Sequence, residues 1–307
     1  MRKVERPPGT VVEGRRRGVA RVAAEEEPPF VERPLPDPPD PGRTVKVGRL
    51  RSDDRGSWGR ADRMGAMSRD PLLVRARGLW EGLARVPVSF APTGGVSVVV
   101  SPESGMCPVG WVGVVALGGS AIVTVPSARA AVIVRDAVAG LSVEDVVDGV
   151  AVREVLPVAR VLGPAALAYV SAEVFRPVEA GASTVERLPT SHPELRLLER
   201  AAGREDAGEA ALDEITSPVF VVREHGQVVA AAGYRAWPSR TAHIGVLTAP
   251  GARGRGLARV TGSATVAHAL AAGLLPQWRA RPPASRRVAA VLGFEELGSQ
   301  LSVEIAG

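Results

Sequence analysis

A glycine-rich turn between an apolar strand and a helix constrains the fold of this chain more than any other feature. Residues 242–248 (AHIGVLT) are predicted as a strand, Pro250 follows, and residues 253–258 (RGRGLA) open a helix predicted over 257–272. The first turn of a helix leaves backbone N–H groups unpaired and carries the positive end of the helix dipole, and glycine lets an anion approach the backbone. The pattern therefore predicts a strand–turn–helix unit that holds a phosphate or pyrophosphate.

Two better-known phosphate motifs are excluded at this turn. A P-loop requires Gly-Lys-Ser/Thr, and the chain has no lysine after Lys46. A Rossmann fingerprint requires a third glycine after Gly254 and Gly256, and that glycine is missing. Arg253 and Arg255 are expected to add cationic donors beside the turn. Taken alone, RGRG is also typical of an ordinary tight turn, and this alternative stays open.

Strands and helices alternate on both sides of this unit, which predicts an α/β protein with a mixed sheet. We divide the chain into an N-terminal α+β accessory domain, residues 70–178, and a second domain, residues 184–307, with a linker between them. Within these, residues 164–171 are predicted as a helix and residues 294–305 as a terminal hairpin. No chemical motif is found in the first of the two domains.

Residues 1–63 differ in composition from the rest of the chain. They contain 9 of the 26 prolines, 15 of the 38 Lys and Arg residues and 11 of the 33 Asp and Glu residues, and show no apolar periodicity. Such a segment buries too little surface to offset its chain entropy, so we predict a disordered tail. Two alternatives are a translation start at Met64 or Met67 and a basic arm for nucleic acid or a partner.

Composition excludes several classes of protein. The chain contains no run of about 18 apolar residues of the kind that spans a membrane. The first residues, MRKVERPPGT, lack the apolar region of a secretory signal. Cys107 is the single cysteine, and the four histidines have no metal-ligand spacing, so neither a disulfide nor a metal site is expected. Beyond residue 63 the net charge is only +1, so nucleic-acid binding is not expected either. We predict a cytoplasmic protein.

The stretch AHIGVLTAPGARGRGLARVTGSATVAHAL resembles the acyl-CoA motif of the GNAT superfamily of N-acetyltransferases. That motif reads Arg/Gln-x-x-Gly-x-Gly/Ala after a strand that ends near Val-x-Pro. It is matched here by Arg253, Gly256 and Ala258, with Pro250 at the proline position. A second match is Leu292-Gly293-Phe294, which in many GNAT chains leads into the last hairpin. The resemblance covers about residues 184–307 and implies a GNAT acyltransferase fold there: strand, two helices, three strands, helix, strand, helix, two strands.

This resemblance implies an N-acetyltransferase that uses acetyl-CoA as cosubstrate and acetylates an amine on a small molecule or peptide. The implied pyrophosphate contacts are the backbone N–H groups of Arg253, Gly254, Arg255, Gly256, Leu257 and Ala258. The exposed backbone of Leu247 and Thr248 is expected to pair with the pantetheine arm, and the thioester to enter between this strand and residues 275–280. A homodimer is common in the family and stays open for this chain.

The catalytic groups are less clearly indicated. By its spacing before the motif, His243 stands near the place of the glutamate base of many relatives, and an imidazole can take a proton at neutral pH. A structural histidine at the strand end is the alternative. Pro282 and Ala289 fall near the places of a family asparagine and of a tyrosine acid, so the thiolate would leave either without a tyrosine acid or with help from Ser285 or water, and catalysis could also be reduced or lost. A non-catalytic acyl-CoA-binding or regulatory module of GNAT fold is therefore the alternative function.

Overall fold

The structure is a computed structural model that describes residues 70–92, 94–181 and 183–306, and the predicted tail of residues 1–63 lies outside these. The described α-helices are α1 (Pro71–Leu83), α2 (Ala128–Val138), α3 (Gly149–Val155), α4 (Pro193–Ala202), α5 (Arg204–Ala210), α6 (Leu257–Ala271) and α7 (Pro283–Val291). The strands are β1 (Gly95–Val100), β2 (Val112–Leu117), β3 (Ser120–Val125), β4 (Val158–Tyr169), β5 (Val185–Leu188), β6 (Val219–Glu224), β7 (Gln227–Trp237), β8 (Thr241–Thr248), β9 (Leu275–Ala280) and β10 (Glu295–Ile305).

Side-chain caps and prolines determine where the first helices begin. The carboxylate of Asp70 accepts a hydrogen bond from the backbone N–H of Leu72 over 2.9 Å, and Pro71 occupies the first position of α1, where its missing N–H costs nothing. Ser127 caps α2 in the same way, through the N–H of Ala130. These local signals are independent of the rest of the fold.

The ten described strands form one mixed sheet, as the α/β prediction requires. The strand order is β1-β3-β2-β10-β4-β9-β8-β7-β6-β5. The pairs β1–β3 and β8–β9 are parallel and the other neighbours are antiparallel. Because β4 pairs with both β9 and β10, hydrogen bonding runs without a break across the predicted domain boundary.

Two elements of the prediction are wrong. Of residues 164–171, predicted as a helix, 164–169 form the end of β4, where alanines and Leu167 lie between β9 and β10. Of residues 294–305, predicted as a hairpin, 295–305 form the single strand β10, which lies between β2 and β4. In both cases a partner strand more than 100 residues away overrides the local sequence preference.

Helices cover both faces of the sheet around β8. On one face α6 and α7 pack against a cluster that contains Ile244 and Trp278. On the other face α4 and α5 pack over Leu247, and α1 packs over Leu275. Side chains alternate along a strand, so His243 and Arg279 lie on the α1 and α5 face. Among the residues that the structure describes, no helix has the length and apolar character needed to cross a bilayer.

Candidate functional site

Strands β8 and β9 pair side by side only briefly and then diverge. Their parallel pairing ends where His243 stands opposite Gln277. Beyond this point β8 pairs only with β7, and β9 pairs only with β4. The facing edges of residues 244–248 and 278–280 therefore have no strand between them in the described part of the chain. An extended ligand can pair with such an edge through its own polar groups.

The turn before α6 contains five successive backbone N–H groups, at residues 254–258, that have no acceptor among the described residues. On either side of them, the N–H groups of Arg253 and Arg259 bond to backbone carbonyls over 3.3 and 2.9 Å. Gly254 and Gly256 have φ of +77° and +83°, the left-handed region that favours glycine, and a Cβ atom at either would meet nothing within 4 Å. The turn thus presents a row of donors to open space, which suits a phosphate group.

The two motif arginines are engaged with carboxylates and brace the turn. Arg253 donates to the carbonyl oxygen of Thr248 over 3.2 Å and to Asp206 of α5 over 2.5 Å. Arg255 donates to Glu224 at the end of β6 over 2.7 Å. Both side chains are about half exposed. Any contact of these guanidinium groups with a phosphate would have to compete with these ion pairs.

A cavity of about 540 Å³, here called the first cavity, extends from this turn along β8 to α7. It brings together seven of the eight predicted coenzyme-binding residues, namely Leu247, Thr248, Arg253, Gly254, Gly256, Leu257 and Ala258. Arg255 is not among the residues that line it. The cavity thus joins the row of N–H donors to the open edge of β8.

The first cavity also contains polar side chains that the motif did not indicate. Arg259 and Arg287 line it and form no ion pair with any described residue. The hydroxyl of Thr248 is buried and has no hydrogen-bond partner in the described part of the chain. Ser285 accepts a hydrogen bond from the indole N–H of Trp278 over 2.9 Å, so its own hydroxyl hydrogen can be donated elsewhere. The cavity therefore offers hydrogen bonds along its length.

His243 lies at the apex of the opening but lines neither of the cavities described here. Its Nδ1 is hydrogen-bonded to Oε1 of Gln277, and its ring stacks on Trp237 with 4.2 Å between the ring centroids. Burial, the nearby Arg279 and, more weakly, Arg235 lower the pKa of His243 from 6.5 to about 4. The imidazole is therefore neutral at pH 7, with its lone pair on Nε2 because the Gln277 carbonyl oxygen accepts the Nδ1–H.

A second cavity of about 360 Å³ opens on the α1 and α5 face. Its apolar wall includes Trp80 of α1 and Trp237 of β7, which meet edge to face with 6.1 Å between the ring centroids. Glu209 and Arg279 line both cavities, so the two spaces adjoin at the place where β8 and β9 part. Two ligands, one bound in each cavity, would meet at this junction.

An ion pair between Glu209 of α5 and Arg281, at the end of β9, spans this junction. From the sequence alone, Glu209 stands in an acidic cluster that is typical of a solvated helix face. Arg279 and Arg281 carried no sequence signal, since they follow a strand pattern without any motif. The packing of α5 against the sheet beside the end of β9 brings Glu209 to these two arginines.

Comparison with known proteins identifies one region of the chain. Residues 219–299 match the family model for GNAT acetyltransferase. A comparison with curated proteins gave no match. The match begins at β6 and ends within β10, so it contains the turn, the parting strands and both cavities' β9 residues.

Several solved structures align with part of the chain. An acetyltransferase of the GNAT family from Novosphingobium aromaticivorans is 25% identical over 49% of this chain and 67% of its own, with a TM-score of 0.39. One from Colwellia psychrerythraea is 16% identical over 49% of this chain and 59% of its own, with a TM-score of 0.37, so less than two thirds of that protein is spanned. A phosphinothricin acetyltransferase from Sinorhizobium meliloti, in complex with acetyl-CoA, is 19% identical over 41% of this chain and 89% of its own, with a TM-score of 0.31.

Proposed function

Because the chain carries a domain of the GNAT superfamily, matched over residues 219–299, we propose that it transfers an acetyl group from acetyl-CoA to an amine. The observation that carries the proposal is that one cavity contains both the row of free N–H groups at residues 254–258 and the unpaired edge of β8. A nucleotide with a diphosphate and an extended amide-containing arm needs both features together.

The residues of the first cavity fit this cosubstrate in three ways. The space in front of Gly254 and Gly256 is open only because neither residue has a side chain. Arg259 and Arg287 supply charges that no described carboxylate neutralises, which suits phosphate groups. The buried hydroxyl of Thr248 needs a partner beside the open edge of β8. Acetyl-CoA would supply an activated thioester.

The chemical work of the protein is then mainly positioning. The amine forms a bond to the acetyl carbon as the carbon–sulfur bond breaks, so one proton must leave the amine and one must reach the thiolate. We propose His243 as the acceptor of the first proton, because its neutral imidazole keeps a lone pair at pH 7. Since His243 lines neither cavity, a water molecule would carry the proton to it. Ser285, whose hydroxyl faces the first cavity, or water would supply the second.

Calorimetry with acetyl-CoA tests the cosubstrate site. We expect binding by the unaltered protein and a loss of more than about tenfold in affinity for Gly256→Val, because the branched side chain blocks approach to charge-assisted N–H donors. The control is Gly251→Ala in the same turn, where φ is not positive and a Cβ meets nothing within 4 Å. Equal affinity in the Gly256→Val protein would place the diphosphate elsewhere.

The second candidate is a non-catalytic acyl-CoA-binding or regulatory module. It is favoured by Ala289, which stands in α7 near the place of the expected tyrosine acid. Thiol release from acetyl-CoA, measured over amines, aminoglycosides, amino acids and peptides, separates the two candidates. Release above background with any of these acceptors supports the transferase. Tight binding with background release throughout supports the module.

A further inference from the structure

The second cavity contains a cation without a counter-charge. Arg279 projects from β9 into the cavity and forms no ion pair with any residue that the structure describes. Its described side-chain hydrogen bond runs from Nη1 to Oε1 of Gln300, a neutral amide, over 3.2 Å. Arg279 is exposed, so water solvates its guanidinium group and an anionic ligand that enters the cavity can displace that water.

The guanidinium group is held in place by its surroundings. The amide nitrogen of Gln300 donates to the carbonyl oxygen of Met106 over 2.5 Å, which fixes the amide oxygen toward Arg279. Glu214, the one carboxylate whose charge acts on Arg279 among the described residues, is itself paired with Arg235. The remaining N–H donors of Arg279 are therefore available to a ligand.

The other groups in the second cavity leave it with a positive balance. Glu209 and Arg281 neutralise each other as an ion pair, so Arg279 contributes the excess charge. The rest of the wall includes the rings of Trp80 and Trp237 and the side chain of Met106. A volume of about 360 Å³ suits a molecule of the size of an amino acid or dipeptide. The complementary ligand combines an anionic group with an apolar body.

We propose that the second cavity binds the amine acceptor and that Arg279 selects acceptors bearing a carboxylate, of the class of amino acids with an apolar side chain. This inference rests on the proposed function, because the acceptor is the partner of the thioester in the first cavity. A carboxylate matches the planar guanidinium through two parallel hydrogen bonds. Arg279 lines both cavities, so a carboxylate that binds to it in the second cavity lies beside the junction where transfer would occur.

The test compares each acid with its amide. Thiol release is measured at saturating acetyl-CoA with phenylalanine and phenylalaninamide, and with leucine and leucinamide. We expect kcat/KM to be about 10²-fold higher for the acids, since the amides leave the guanidinium unpaired. In Arg279→Gln this preference should vanish, because the rate with the acids falls to the rate with the amides. An unaltered preference in Arg279→Gln overturns the inference.

A second variant guards against a misfolded Arg279→Gln protein. Gln300→Glu keeps Arg279 but places a carboxylate at the 3.2 Å contact, so the cation is satisfied internally and the acid preference should again be lost. Arg287→Gln is the matched control in the first cavity: it should weaken acetyl-CoA binding and leave the acid-to-amide ratio unaltered. If Arg279→Gln instead weakens the binding of acetyl-CoA and leaves the acid-to-amide ratio unaltered, Arg279 binds the cosubstrate and the inference is wrong.

Binding without turnover separates the failure of this inference from the failure of the proposed function. N-acetylphenylalanine and N-acetylphenylalaninamide are titrated into the protein in a calorimeter. We expect the acid to bind at least about tenfold more tightly than the amide, and the two to bind alike in Arg279→Gln. Acid-selective binding without thiol release keeps the site and removes the transferase. Thiol release without acid selectivity keeps the transferase and overturns this inference.

Discussion

At the scale of single residues, three neighbours determine the chemistry of His243. Gln277 accepts its Nδ1–H and so fixes which nitrogen keeps the lone pair. Trp237 covers one face of the ring, and burial together with Arg279 disfavours the charged form. The result is a neutral imidazole at the point where β8 and β9 separate. Both its proposed role in proton transfer and its contribution to stability follow from this neutrality.

The first prediction concerns activity. His243→Asn replaces the ring by an amide whose nitrogen can still donate to Gln277 but which cannot take a proton, so kcat should fall about 10²-fold. Acetyl-CoA affinity should not change, because His243 does not line the first cavity. The control is His268→Gln on α6, whose ring is hydrogen-bonded to Tyr234, and it should leave kcat nearly unaltered. A loss of less than about threefold in His243→Asn returns His243 to a structural role.

The second prediction concerns the pH dependence of stability. The pKa of His243 is about 4 in the folded protein and 6.5 for the ordinary side chain, so between these values the unfolded chain binds more protons. The contribution is complete above pH 6.5 and is lost as the pH falls toward 4, amounting to at most about 3 kcal/mol. Urea unfolding at several pH values should show this decline, and His243→Asn should flatten it. Equal declines in both proteins would contradict the lowered pKa.

At the scale of elements, the end of α5 is held against β8 by the absence of a side chain at Gly245. A Cβ atom there would stand 2.2 Å from the carbonyl oxygen of Ala210, the last residue of α5. This close approach places Asp206 against Arg253 of the turn and Glu209 against Arg281 of β9. The position of α5 therefore affects both cavities.

The third prediction follows from this contact. Gly245→Ala should move the end of α5 and lower the free energy of unfolding by about 1–3 kcal/mol, with weaker binding of acetyl-CoA. Gly208→Ala, within α5 itself, is the matched control, because a Cβ there meets nothing within 4 Å. It should raise stability by about 0.5–1 kcal/mol through helix propensity. Thermal and urea unfolding measure both, and two variants of equal stability would contradict the contact.

At the scale of the whole molecule, β10, the last described strand in the chain, lies between two strands of the predicted accessory domain. It pairs with β2 on one side and with β4 on the other, while β4 also pairs with β9. The resemblance to the GNAT family leads one to expect two strands after the last helix, and this chain supplies one. Its neighbour comes instead from residues 158–169, within the predicted accessory domain.

The fourth prediction tests whether the two predicted domains fold separately. Residues 184–307 expressed alone lack β4, so β9 and β10 lose the strand that lies between them. We expect this segment to lack the near-UV circular dichroism of a packed protein, and residues 70–307 to unfold in a single cooperative transition. A segment 184–307 that unfolds cooperatively on its own would support independent domains.

The parts of this fold that the sequence predicts well are those encoded locally. Gly254 and Gly256 mark a turn that only glycine forms easily, and the apolar strand before it needs no distant partner to be identified. The strand in residues 164–169 was missed because its alanines favour a helix in isolation. The hairpin in residues 294–305 was expected from the resemblance to the GNAT family, in which Leu-Gly-Phe leads into the last hairpin, yet Gly298 lies at a bulge in the single strand β10.

The part of the site that sequence reasoning missed is encoded at long range. Gln300 contacts Met106, which is 194 residues away in sequence, and Arg279, which is 21 residues away. No periodicity links these positions. Glu209 was assigned to a solvated surface because its neighbours in sequence are acidic. Single-sequence patterns report which residues share a face of one element, whereas this site depends on which elements meet.

The position of β10 in the sheet also has a consequence during synthesis on the ribosome. All the other strands of the sheet precede β10 in the chain and are translated before it, so β2 and β4 emerge with the edges that will flank it still bare. Bare edges readily recruit strands from other nascent polypeptides. The gap between β2 and β4 therefore stays open to such pairing until residues 295–305 leave the exit tunnel.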